Sequence, residues 1–227
     1  MALMSRLPLL TLAGAACAAL ALPTCASAEI IEIGRVDPAP VPSCPARPCL
    51  AVSRTTGYQA KIGATRGVMT IPKDGSLVAW TIGLGKPGTK QTSFFDDKLG
   101  GESQAQLTVL NPRRKLRSRA VAQGDVQKLA PFFGSTVQFP LAKSIPVKKG
   151  WVVALTVPTW APALGLGLPR EAVWRASRAI DGCDDTQTQT AQTDINDLAR
   201  YKCYYRTARL TYTATLVTTP VPPKTAK

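Results

Sequence analysis

The sequence predicts an antiparallel β-sandwich of jelly-roll-like, all-β type with only short helical turns. Three observations predict it: short apolar runs bounded by Gly, Pro and Asp turn signals, an alternation of period two near the C-terminus, and helical patterning confined to two brief segments. No fixed-period repeat or heptad pattern competes with that reading.

At the N-terminus, Arg6 precedes an apolar run over residues 7–22, followed by Ala26-Ser27-Ala28 and an abrupt change of composition at Glu29. A basic lead, an apolar stretch short for a membrane span and a small-x-small site predict a cleavable export signal over residues 1–28. The competing reading is a lipoprotein leader ending at Cys25 or Cys17, and Pro23 fits it poorly. No second apolar stretch of membrane length follows, so no transmembrane anchor is expected. The protein is expected to be secreted or extracellular, with a place in the cell envelope.

Residues 29–49 carry Asp37-Pro38-Ala39-Pro40-Val41-Pro42 and then Cys44-Pro45 and Pro48-Cys49. Proline at this density removes backbone donors and favours extended backbone, which predicts a stiff lead-in with a small disulfide loop. Residues 218–227 have the same character and read as an exposed tail. Residues 50–217 are left as the sandwich domain.

Within it, Leu77-Val78-Ala79-Trp80-Thr81-Ile82 follows the turn signal Pro72-Lys73-Asp74-Gly75, and Leu107-Thr108-Val109-Leu110 precedes Asn111-Pro112. Trp151-Val152-Val153-Ala154-Leu155-Thr156-Val157 reads as a buried central strand. Over residues 204–217, Leu210, Tyr212, Ala214 and Leu216 alternate with Arg209, Thr211, Thr213 and Thr215, the pattern of a half-buried strand. Only residues 125–129 and part of 194–200 read as helical.

Outside the leader there are four cysteines, and an even number in an exported chain implies disulfides. Four cysteines allow three pairings; spacing favours Cys44–Cys49 and Cys183–Cys203 without proving it. Neither has C-x-x-C spacing, so both read as staples. Closing the second loop is worth about 3 kcal/mol in the chain-entropy model.

The chain contains no histidine. That removes the Ser-His-Asp and Cys-His hydrolases and the His-ligated zinc sites. Asp96, Asp97 and Glu102, with Asp181, Asp184 and Asp185, are the carboxylates left for acid–base work, and in sequence they read as turn residues. No cofactor is expected; calcium is the weak candidate, on Asp184, Asp185, Asp194, Asn196 and Asp197 without EF-hand spacing.

Formal net charge is +14, and loss of the leader removes one positive charge. A surplus of this size favours anionic partners. The densest cluster is Arg113-Arg114-Lys115-Leu116-Arg117-Ser118-Arg119. As a strand it would place Lys115, Arg117 and Arg119 on one face as a cationic ridge for an anionic cell-wall polymer or polysaccharide. The alternative is an edge strand guarded by charge. Nucleic acid is a weaker candidate, because no aromatic residues interleave the ridge. Trp160 and Trp174 lie in apparent loops, where they read either as sugar platforms or as caps on the core, whereas Trp80 and Trp151 read as core.

The combination Ile71-Pro72-x-Asp74-Gly75-x-Leu77-Val78-Ala79-Trp80, Gln138-Phe139-Pro140-Leu141, residues 153–162 and Cys203-Tyr204-Tyr205 resembles a group of secreted β-rich proteins from high-GC bacteria to which no activity is assigned. The resemblance implies export and a β-rich domain and transfers no functional residue. The favoured expectation is a non-catalytic envelope or extracellular binding or structural module for an anionic polymer or glycan. The alternative is a His-independent glycan hydrolase or lyase using carboxylates or tyrosine.

Overall fold

The computed structural model of the chain describes residues 27–220. Most of the expected export signal, and the tail beyond residue 220, lie outside the described residues. The strands follow in order: β1 (Ile30–Ile33), β2 (Val52–Ile62), β3 (Thr65–Arg66) and β4 (Gly75–Gly83). Helix α1 (Thr89–Leu99) precedes β5 (Gln104–Pro112), β6 (Arg117–Gln123), β7 (Gln127–Lys128) and β8 (Thr136–Val147). Then come β9 (Val152–Ala161), β10 (Leu164–Gly165), β11 (Val173–Ala176), β12 (Leu198–Arg200), β13 (Cys203–Arg206), β14 (Arg209–Leu210) and β15 (Tyr212–Thr218).

The fold is all-β and antiparallel. One sheet has the order β1-β15-β4-β8, and the other runs β12-β6-β5-β9-β2-β11-β13. The chain crosses repeatedly between the two sheets, at β1–β2, β3–β4, β4–β5 and β8–β9, so both must face a shared core. The four-stranded sheet supplies Leu77, Trp80, Ile82, Ala214 and Leu216, and the larger one supplies Leu107, Val109, Val153 and Leu155, all buried. Tyr212 ties the layers together by donating its hydroxyl hydrogen to the Val153 carbonyl at 3.0 Å.

The larger sheet is strongly curled. The outermost strands of its seven-strand path, β12 and β13, are joined by only Tyr201 and Lys202, so the two edges of this nine-stranded sheet must meet. The curl encloses a polar row on the face opposite Leu107 and Leu155. The hydroxyls of Thr108 and Thr156 are 2.6 Å apart, those of Thr156 and Thr56 2.9 Å, and the Gln192 amide donates to Thr56 at 3.0 Å. Gln192 accepts the Tyr201 hydroxyl hydrogen and donates to the Asp197 carbonyl, so the row is both buried and hydrogen-bonded.

Both favoured disulfides are present, Cys44–Cys49 and Cys183–Cys203, with Cα atoms 4.4 and 5.3 Å apart. Three expectations about elements are corrected. The domain begins before residue 50: β1 pairs with β15, because Ile31 and Ile33 alternate with Glu32, whose carboxylate accepts the Thr213 and Thr215 hydroxyls. The expected helix at 125–129 is replaced by β7 and one 3₁₀ turn, Ala130–Phe132, while 194–200 is a turn leading into β12. The alternation expected over 204–217 holds only from Tyr212. Arg209 and Thr211 are buried because the chain crosses there from the curled sheet to the smaller one.

Among the described residues α1 is the one α-helix; its segment was not among those that read as helical in sequence, where Asp96 and Asp97 read as turn residues. Its buried residues are Phe95 and Leu99, four residues apart and hence on one face, and it ends at Gly100, whose φ of 98° suits a left-handed cap. No helix among the described residues is long and apolar enough to cross a membrane.

Candidate anion-binding site

The cationic cluster splits between a turn and a strand. Arg114–Leu116 form a single 3₁₀ turn with left-handed backbone at Lys115 and Leu116 (φ of 60° and 58°), so strand alternation begins only at Arg117. From there the expectation holds: Arg117 is exposed and Arg119 half-buried, alternating with buried Ser118 and Ala120. Lys115 is exposed at the tip of the turn and is not a member of that face.

β6 is not an edge strand, which removes the reading of its charge as edge protection. β12 covers it, with Arg200 directly opposite Arg117 and Leu198 opposite Arg119. Arg119 donates from Nη1 to the Asn196 carbonyl at 2.8 Å.

The curl carries this cationic surface onto a second one. The Tyr201 amide donates to the Leu116 carbonyl at 2.8 Å, and the Tyr201 carbonyl accepts from Arg175 Nη1 at 2.9 Å. Arg175 lies 5.7 Å from the ring centre of Tyr204, and Arg206 lies 5.3 Å from the same ring. Tyr204 is 52% exposed because β13 alternates: Cys203 faces inward, Tyr204 outward, and Tyr205 stacks on Trp174 at 4.3 Å.

Beside Tyr204 is a cleft of ≈ 230 Å³ lined by Lys61, Arg66, Arg170, Arg175 and Arg206, with Glu171 as the single carboxylate. Strand register builds it. Arg66 pairs with Lys61, and Val173 lies between Lys61 on β2 and Arg206 on β13. Lys61–Arg66 and Arg117–Arg200 are therefore two like-charge pairs directly opposite each other across strands, an arrangement that costs stability. The three ion pairs among the described residues, Lys73–Glu29, Lys98–Asp97 and Lys128–Glu102, all lie away from this strip.

The two tryptophans read as either sugar platforms or caps on the core are both buried, which removes the platform reading. Trp160, at the end of β9, packs on Phe95 and Phe133 with ring centres 4.9 and 5.5 Å away. Its indole N–H donates to Asp96 Oδ1 at 2.8 Å and the Gly101 carbonyl at 2.9 Å. Trp174 lies within β11 beneath Tyr205. Both fill the core because strand alternation turns them inward. An exposed aromatic on the cationic surface that sequence reading missed is Tyr204, whose signal was its place between two inward-facing residues of a stapled strand.

Four of the six candidate carboxylates are committed locally. Asp96 holds Trp160, Asp97 pairs with Lys98, and Glu102 pairs with Lys128. Asp185 accepts hydrogen bonds from the Thr188 hydroxyl and from the Thr188 and Gln187 amides, which pull its pKa down to about 2. Burial raises the phenols of Tyr201 and Tyr212 well above their ordinary range, and it raises that of Tyr58 against the opposing pull of Arg175, so these tyrosines stay protonated at neutral pH. Among the described residues no three His, Cys, Asp or Glu side chains converge as a metal site, so the acids expected for calcium are dispersed. Comparison with known proteins matches no family model, no curated protein sequence and no solved structure.

Proposed function

We propose that this is an exported, non-catalytic module that binds a linear anionic polymer, such as a uronate-rich or sulfated polysaccharide of the cell envelope or its surroundings. The observation that carries the reading is the unneutralised cationic strip from Arg117 and Arg200, past Tyr201, to Arg175, Tyr204, Arg206 and the Lys61–Arg66 pair. Directly opposed cations with Glu171 as the single carboxylate of their cleft cost the free protein stability, and an anionic chain laid along them offsets that cost. Tyr204, held between two guanidinium groups, offers an exposed ring against which a sugar packs. The two disulfides fit an oxidising compartment.

The test is titration of the oxidised domain with polygalacturonate or a heparin-type oligosaccharide, with neutral dextran as control. A Lys61→Ala/Arg170→Ala/Arg206→Ala variant should bind at least tenfold more weakly. A Lys86→Ala/Lys90→Ala/Lys98→Ala variant, which removes the same charge beside and within α1, should stay within about threefold of the parent. Equal losses would reduce the strip to bulk charge, and absence of binding would remove the reading.

A further inference from the structure

Arg209 is a charge without a counter-ion. It opens β14 opposite Gly165, is 4% exposed, and donates from Nη2 to the Gly34 carbonyl. Its Nε is buried with no hydrogen-bond partner, and no carboxylate among the described residues lies within 4.0 Å of it. A buried guanidinium so placed is unfavourable unless an anion reaches it.

An anion has a route. Arg209 forms part of the wall of two open cavities under the proline-rich segment 36–42, of ≈ 260 and ≈ 520 Å³. The larger is bounded by Val36, Pro38, Val41, Ile62, Leu168 and Ala172, and its only charged lining residues are Arg209 and Asp37, the latter exposed. The smaller shares Arg209 and Asp37 with it, adds the exposed Arg35, and presents Thr81 and Thr136; the Thr211 and Thr213 hydroxyls there already donate to the Gly83 carbonyl and to Glu32. An apolar groove of this size with one buried cation matches a molecule with an alkyl chain and a single anionic head.

We propose that this groove binds a linear aliphatic monocarboxylate, its carboxylate on Arg209 and its alkyl chain along the apolar wall between the proline-rich segment and Leu168–Ala172. The site is separate from the cationic strip and does not rest on it. A polymer strand is too bulky for it, and an inorganic anion leaves its apolar wall unused. Asp37 is the one group that competes for Arg209 from within the chain.

The experiment is calorimetric titration of the oxidised domain with octanoate, with octanol as the uncharged control. Octanoate should bind one to one, and octanol at least tenfold more weakly. Arg209→Gln should weaken octanoate at least tenfold. Leu168→Glu, which touches none of Arg209's hydrogen bonds, should abolish binding while leaving the melting temperature of the free protein within about 2 °C, so the proposal stays testable if the Arg209 variant fails to fold. Asp37→Asn should bind octanoate as well or better. No saturable octanoate binding, equal binding of octanoate and octanol, or unchanged binding by Leu168→Glu would overturn the proposal. Destabilisation by Asp37→Asn matching that of Arg209→Gln would also overturn it, by making Asp37 the counter-ion.

Discussion

Thr156 shares its hydroxyl with both neighbouring strands, meeting Thr108 on β5 and Thr56 on β2, and the row ends on the Gln192 amide inside the curl. Valine has the shape of threonine without its hydroxyl, so Thr156→Val leaves two buried hydroxyls short of a partner. It should cost about 1–3 kcal/mol in urea denaturation, and a loss below about 0.5 kcal/mol would show that the row is not a coupled network. Asp185 gives a second residue-level test. Its folded pKa of about 2 lies below the ordinary value of 3.8, so its contribution is present above the ordinary value and is lost as pH falls through the folded one. The melting-temperature gap between the parent and Asp185→Asn should therefore be widest at pH 6 and should narrow as the pH falls from 4 through 2. A gap independent of pH would contradict the turn assigned to this carboxylate.

Among the elements, the segment between Cys183 and Cys203 depends on its staple. Its Thr- and Gln-rich stretch buries little apolar surface, yet it supplies Gln192 to the interior of the curl and β12 to its edge. Cys183→Ala/Cys203→Ala should lower stability by about 3 kcal/mol. Hydrogen exchange should quicken first over residues 184–200, with β4 and β15 still protected; uniform quickening would place the staple in the global folding unit instead. The disulfide spacing, the apolar core of β4, β5 and β9, and the alternation of β15 were legible because each is a local pattern. Helix α1 was not, since only Phe95 and Leu99 face inward and the docking partner that selects helix, Trp160, lies 61 residues beyond Leu99. Trp160 and Trp174 were misjudged for a related reason: proline or glycine nearby signalled loops, whereas long-range pairing with β2 drew both into strands.

At the scale of the molecule, the curl of the larger sheet is what assembles the candidate site. Arg117 and Arg119 lie on β6, paired with the edge strand β12, and Tyr204 and Arg206 lie on the other edge strand, β13; the two groups become neighbours only because β12 and β13 are two residues apart. Sequence reading found the basic half of that surface on Arg117 and Arg119 but not the half on Lys61, Arg66, Arg170, Arg175 and Arg206. Those residues are scattered along the chain and share no motif until sheet register gathers them. The most direct measurement is the dependence of polyanion affinity on salt, comparing the parent with Arg117→Ala/Arg200→Ala and with Arg170→Ala/Arg206→Ala. If the strip is one continuous site, log affinity falls steeply with log salt and each pair of substitutions flattens the slope by roughly one per charge removed. A slope that either pair leaves unchanged would contradict a single site spanning both edges.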